Sequence, residues 1–220
     1  MIASTNRSLT LVQGPPGTGK TAVALEILKY WSESQQLNQG KNSSLLACSD
    51  SNVAVDNLVE GLIKEGVKVV RVGRPENTRP ELLQYSTSVL VEQQIEKQAG
   101  YSLVGKHSKT TIETKSDASN QKHNILTRIL READVICATC IGAGSSLLDN
   151  INFAGVLIDE ASQATELSTL VPLMHECQQL VLVGDHCQLP PTVPDDDAQY
   201  EGKVVKKKIK KKERHANGAL

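Results

Sequence analysis

A chain of 220 residues in which 24 Lys and Arg face 25 Asp and Glu has a net charge of −1, so no overall basic field draws in a polyanion. Aromatics make up 3% of the chain and apolar residues 39%, which leaves a core of Leu, Val, Ile and Ala, and no apolar run is long enough to span a bilayer. Five scattered cysteines and the lack of a signal-peptide pattern point to a reducing, cytoplasmic setting, without a disulfide framework and without membrane contact.

The first expected strand, Leu9-Thr10-Leu11-Val12, runs into Gln13-Gly14-Pro15-Pro16-Gly17-Thr18-Gly19-Lys20-Thr21, and a helix over Ala22 to Trp31 follows. Gly14-x-x-x-x-Gly19-Lys20-Thr21 between strand and helix is the full phosphate-binding-loop pattern. Glycines let backbone N–H groups turn inward and meet phosphate oxygens with no Cβ in the way. Lys20 is expected to reach the β- and γ-phosphates as a point charge, the Thr21 hydroxyl to ligate magnesium, and the helix N-terminus to face the triphosphate. Residues Gly14, Pro15, Pro16, Gly17, Thr18, Gly19, Lys20 and Thr21 are therefore the expected nucleotide cradle.

Ser34 to Asn42 is polar and reads as a loop. Ser44 to Cys48 is the second expected strand, and Ser49-Asp50-Ser51-Asn52 supplies turn and cap residues for a helix built on Val53, Val55, Leu58, Val59, Leu62 and Ile63. Gly66 ends it and Val67 to Val72 is a third strand. The order strand–helix–strand–helix–strand predicts a parallel α/β sheet. Residues 74–130 break the alternation: Pro75 and Pro80 bracket a turn, Leu82 to Gln98 and Asn124 to Glu132 read as helices, and Gly100 to Asn120 is either a loose middle or simply a long loop.

Asp134 to Thr139 returns to the sheet, followed by the small residues Cys140-Ile141-Gly142-Ala143-Gly144. Phe153 to Ile158 is the next strand and delivers Asp159 and Glu160 at its C-terminal edge, where open parallel sheets bind ligands. Asp159 is expected to hold magnesium, and Glu160 to orient and deprotonate the attacking water. Ala164 to His175 holds a short helix broken near Pro172. Leu180 to Val183 is the last clear strand; it ends in Gly184-Asp185-His186-Cys187-Gln188, where Gln188 has the reach to sense a γ-phosphate and His186 reads as an ordinary loop residue. Cys137 and Cys140 lack the partners of a zinc site and read as buried thiols. Beyond Pro194 the chain turns acidic and then lysine-rich. Residues 195–214 hold eight of the 24 Lys and Arg, in a tail over 195–220 expected to be disordered, or to act as a nuclear-import signal or phosphate binder.

Gly14 to Thr21, Ser51-Asn52-Val53-Ala54-Val55-Asp56, Ala138-Thr139-Cys140-Ile141-Gly142-Ala143-Gly144, Asp159-Glu160-Ala161-Ser162-Gln163-Ala164-Thr165-Glu166 and Gly184 to Pro190 occur together and in order. The chain thereby resembles the first RecA-like domain of superfamily 1 helicases of the Upf1-like group, which includes the RNA helicase of nonsense-mediated mRNA decay. The resemblance covers about Leu9 to Val193. It implies a RecA-like, P-loop NTPase three-layer sandwich over 1–194, with 74–130 as a helical stalk-type insertion. It implies ATP and Mg2+ as cofactors, Lys20, Glu160 and Gln188 as catalytic residues, and Thr21 and Asp159 as metal ligands. It also implies a single-stranded nucleic acid, RNA in preference to DNA, contacted by Ser51, Asn52, Thr139 and Gly142. Decay factors or a second-domain protein are the implied further partners.

The family pattern is not complete. Asp50 stands where the family has proline, little sequence precedes Leu9 to hold an adenine-reading glutamine motif, and nothing after Val193 resembles the second RecA domain with its arginine finger. The chain is therefore expected to bind nucleotide and to hydrolyse it weakly or not at all. The alternative is a free-standing nucleotide-dependent binding module without unwinding activity.

Overall fold

The structure, a computed structural model, describes residues 9–37, 43–104, 115–188 and 190–191. The lysine-rich tail and residues 105–114 lie outside them. Six strands, β1 (Leu9–Gln13), β2 (Ser44–Ser49), β3 (Val69–Arg71), β4 (Val135–Thr139), β5 (Phe153–Ile158) and β6 (Gln179–Gly184), form one sheet in the order β1-β6-β5-β2-β4-β3. Every pairing is parallel, as the strand–helix alternation predicts. The helices are α1 (Lys20–Leu37), α2 (Asn52–Lys64), α3 (Thr87–Val104), α4 (Lys115–Glu132) and α5 (Glu166–Leu173).

The aliphatic runs work because a strand sends alternate side chains to opposite faces and both faces are covered. Leu45 and Ala47 of β2, Val135 and Cys137 of β4 and Leu157 of β5 pack with Ala24, Leu28 and Trp31 of α1 and Val55, Leu58, Val59 and Leu62 of α2. The intervening residues Leu46, Cys48, Ile136, Ala138, Val156 and Ile158 pack with Ile125, Ile129 and Leu130 of α4 on the other face. The result is the expected three-layer α/β arrangement. Among the described residues no helix is long and apolar enough to cross a membrane.

Three expectations about local structure are corrected. First, α1 continues to Leu37 through residues read as a loop, because Glu33, Gln35 and Gln36 are good helix formers and extending a formed helix costs little. Second, Leu82 to Gln98 is not one helix. A 3-10 helix over Pro80–Tyr85 stops at Ser86, whose extended backbone bridges Arg71 beside β3, and α3 begins only at Thr87. Third, the ends of the expected loose middle are helical, since α3 reaches Val104 and α4 starts at Lys115. Arg128 Nη2 donates to Gln94 Oε1 across the α3–α4 pair at 3.3 Å.

Strand β1, which carries the glycine loop, lies at a sheet edge with β6 as its neighbour. Because all strands run one way, the loops after β1, β2, β4, β5 and β6 meet on one rim, and that rim holds the chemistry.

Candidate nucleotide site and nucleic-acid rim

The loop from Gly14 to Gly19 needs its glycines for measurable reasons. Gly17 and Gly19 sit at φ 75° and 83°, where a Cβ would be strained, and a Cβ at Gly14 would lie 2.6 Å from Thr18 Oγ1. Thr18 Oγ1 donates to the Pro15 carbonyl at 2.8 Å, and Lys20 Nζ donates to the same oxygen at 3.3 Å. Lys20 is buried and its ammonium is thereby held inside the loop's curve. The Gly14 amide donates to the Gly184 carbonyl at 3.3 Å, tying the loop to the end of β6.

Thr21 Oγ1 donates to Asp159 Oδ2 at 3.1 Å, and the Glu160 amide donates to Asp159 Oδ1 at 2.9 Å. Asp159 is almost fully buried. Burial pushes its carboxyl above the usual aspartate range, while the Glu160 N–H, the Thr21 hydroxyl and the Lys20 charge pull the other way. A hydroxyl beside a hard carboxylate at the foot of a glycine cradle is a donor set suited to magnesium. Glu160 is the only non-glycine residue with positive φ among the described residues, at φ 52°. Its carboxylate accepts from Gln163 Nε2 at 3.1 Å.

The β6 segment joins the same end of the rim. Ala161 N–H donates to the Val183 carbonyl at 2.8 Å, and Ser162 Oγ accepts from the Asp185 amide at 3.0 Å. Asp185 Oδ1 accepts from the Cys187 amide at 3.0 Å and Oδ2 from Gln188 Nε2 at 3.2 Å. The Cys187 N–H, then the Gln188 amide and the charges of Lys20 and His186, hold the Asp185 carboxyl below its usual range. Gln188 thus stands with its amide nitrogen on Asp185 and not on the loop. Asp185, His186 and Cys187 also bring a carboxylate oxygen, an imidazole nitrogen and a thiol within 4.8 Å, but both Asp185 oxygens already serve as acceptors.

Ser51, Asn52, Thr139 and Gly142 collect at the neighbouring part of the rim, above β2 and β4, where Ser49 pairs with Thr139. Ser51 caps α2 by accepting from the Ala54 amide at 3.1 Å. Thr139 Oγ1 accepts from the Gly142 amide at 3.0 Å, so two of the four expected contacts bond each other. Asp50 is exposed beside them. The two parts of the rim are linked through backbone: Asp159 N–H donates to the Cys48 carbonyl at 2.8 Å, and Cys140 N–H to the Ser49 carbonyl at 2.9 Å.

Cys137 and Cys140 are buried free thiols, each pushed up to about 12 by burial. Ser162 and Gln163, which join the β5 and β6 segments and hold Glu160, carried no assignment from spacing. Their only sequence signal is that they follow the two acids directly.

The chain matches the AAA domain family over residues 1–125 and 106–195. It is 41% identical over 195 residues to regulator of nonsense transcripts 1 of Caenorhabditis elegans, covering 85% of this chain and 17% of that protein. It is 37% identical over 195 residues to ATP-dependent helicase upf1 of Schizosaccharomyces pombe, covering 86% of this chain and 21% of that protein. Among solved structures, the Pyrococcus furiosus Hef helicase domain aligns at 16% identity with a TM-score of 0.38, over 84% of this chain and 28% of that one. The chain thus spans about a fifth of the length of the curated relatives it matches.

Proposed function

We propose, for a chain that belongs to the AAA domain family and to the Upf1-like superfamily 1 helicases, that its rim is the ATP- and magnesium-binding part of a motor acting on single-stranded nucleic acid, RNA in preference to DNA. The observation that carries this reading is the Thr21–Asp159 hydrogen bond of 3.1 Å, which closes the glycine loop onto the strand-end carboxylate. The preference for RNA is supported by the relatives' names, which refer to nonsense transcripts.

The roles follow from position. The backbone N–H groups of Gly17 to Thr21, at the turn and the N-terminus of α1, hold phosphate oxygens, with Gly14, Pro15 and Pro16 shaping the loop around them. Lys20 leaves the Pro15 carbonyl to meet the terminal phosphates. Thr21 and Asp159 would hold magnesium. When bound, that ion neutralises charge on the phosphate oxygens. Glu160 takes a proton from the water, with Gln163 fixing one of its oxygens. Asp185 holds Gln188, whose amide oxygen is left to orient that water. Among the described residues no arginine joins this cluster, and arginine fingers add about 10³ to 10⁵ in rate. The chain by itself is therefore expected to turn over slowly.

Ser51, Asn52 and Thr139 contact the sugar–phosphate backbone, with the Gly142 N–H fixing the Thr139 hydroxyl, and such hydroxyl and amide groups suit the task because they do not read bases. The test is nucleotide binding with and without magnesium, followed by hydrolysis with poly-U or oligo-dT. Magnesium-dependent binding with a slow turnover stimulated more by poly-U is expected. No magnesium-dependent binding would overturn the nucleotide reading, and no response to either strand would overturn the nucleic-acid reading.

A further inference from the structure

We infer that Arg71 is a positioning residue for single-strand binding, acting through Asn52: it turns the Asn52 amide so that its N–H2 faces the strand. The inference rests on the proposal that Asn52 lies on the nucleic-acid track.

Arg71 ends β3 and is fully buried. A buried guanidinium persists only where its donors are satisfied and its charge is balanced. Arg71 Nε donates to Asp56 Oδ1 at 3.0 Å, Nη1 to the Val72 carbonyl at 2.7 Å, and Nη2 to Asn52 Oδ1 at 2.9 Å. Asp56, itself buried, accepts at its other oxygen from the Arg79 amide at 2.9 Å. A Cβ on Gly73 would fall 2.2 Å from Nη1, so glycine there leaves the guanidinium its space.

Asp56 supplies the balancing carboxylate for Arg71, while Arg79, whose Nε lies 3.8 Å from the other Asp56 oxygen, is also paired with Glu60 at 3.0 Å. The bond to Asn52 does something else. Guanidinium has donors and no acceptor, so only the amide oxygen of Asn52 can face it, and the N–H2 must point the other way. Asn52 is half-buried at the first residue of α2, and its amide nitrogen has no protein partner among the described residues. Without Arg71 the amide torsion is broad and two-fold, and one of its orientations turns an oxygen toward phosphate. With Arg71 in place, a fixed donor joins the Ser51 hydroxyl and the free amides of the first turn of α2.

The test is anisotropy of a labelled oligo-U on the 220-residue chain, with magnesium–nucleotide affinity read on the same samples to report on the fold. The variants are Asn52→Ala, Arg71→Lys and the pair. Lysine keeps a cation beside Asp56 but cannot fork to Asn52. Losing one hydrogen bond to a phosphate is expected to weaken Asn52→Ala by about tenfold, and Arg71→Lys by a similar factor. The pair should be no weaker than Asn52→Ala alone, because the two act through one contact. Losses that multiply, or Arg71→Lys binding like the wild type, overturn the positioning role. No loss in Asn52→Ala overturns the track itself, a separate failure. If Arg71→Lys does not fold, Asn52→Asp takes its place, since it keeps an acceptor for Arg71 and replaces the N–H2 with oxygen. Asn52→Asp is expected to bind more weakly than Asn52→Ala, and equal or tighter binding overturns the proposal.

Discussion

The Thr21 hydroxyl meets Oδ2 of Asp159 at 3.1 Å across 138 residues of chain. This bond joins the start of α1 to the end of β5 with no strand pairing between β1 and β5, since β6 lies between them. Thr21→Ala should lose this bond at a cost of about 1 kcal/mol in urea unfolding. It should also weaken magnesium-dependent nucleotide binding at least tenfold, because a ligand is gone as well. Thr21→Ser should restore both. Wild-type affinity in Thr21→Ala would contradict the assignment.

Glu160 sits at φ 52°, in a region that costs an L-residue roughly 1–2 kcal/mol. Glu160→Gly and Glu160→Ala both remove the carboxylate and should both abolish turnover while keeping nucleotide binding. Of the two, Glu160→Gly should be the more stable by about 1 kcal/mol, since only glycine takes this backbone without strain. Equal melting temperatures, or a more stable alanine variant, would show that the backbone stores no strain.

Asp185 makes its own pH signature. Its carboxyl is lowered in the fold, chiefly by the Cys187 N–H, so the unfolded chain binds the proton more readily. Its stabilising contribution is therefore present above the unfolded aspartate value of about 3.9 and is lost as pH falls through the lower folded value. The difference in melting temperature between wild type and Asp185→Asn should be constant above about pH 5 and shrink below it. A gap that grows on acidification would reverse the sign of the effect.

The cysteines should differ sharply toward a disulfide reagent at pH 8. Burial pushes the Cys137 and Cys140 thiols up to about 12 and raises the Cys48 thiol in the same direction. Such thiols hold almost no thiolate at that pH and should react only on unfolding. Cys187 is exposed and should react first, with half-buried Cys177 slower. A fast thiol remaining in the Cys187→Ser, Cys177→Ser double variant would contradict the buried placement.

Much of this was legible before the fold. The spacing of Gly14, Gly19, Lys20 and Thr21 states a geometry because positive-φ turns exclude other residues, and the aliphatic runs state a sheet covered on both faces. The Arg71–Asp56–Asn52 cluster was not legible. Its members fall on a strand and a helix 15 and 19 residues apart, where no local period links them. The break at Ser86 was hidden for a related reason, as its bridge to Arg71 is tertiary and overrides the helical pattern around it. The left-handed backbone of Glu160 leaves no compositional mark, since its usual signal is glycine.

The most direct test of the account is titration of a fluorescent ATP analogue into the chain, with and without magnesium, for wild type and Lys20→Ala. Lys20 is the buried cation inside the glycine loop, so wild type should bind saturably only with magnesium, and Lys20→Ala should weaken that binding by tenfold or more. Equal binding by the two proteins, or none by either, would contradict the rim as a nucleotide site.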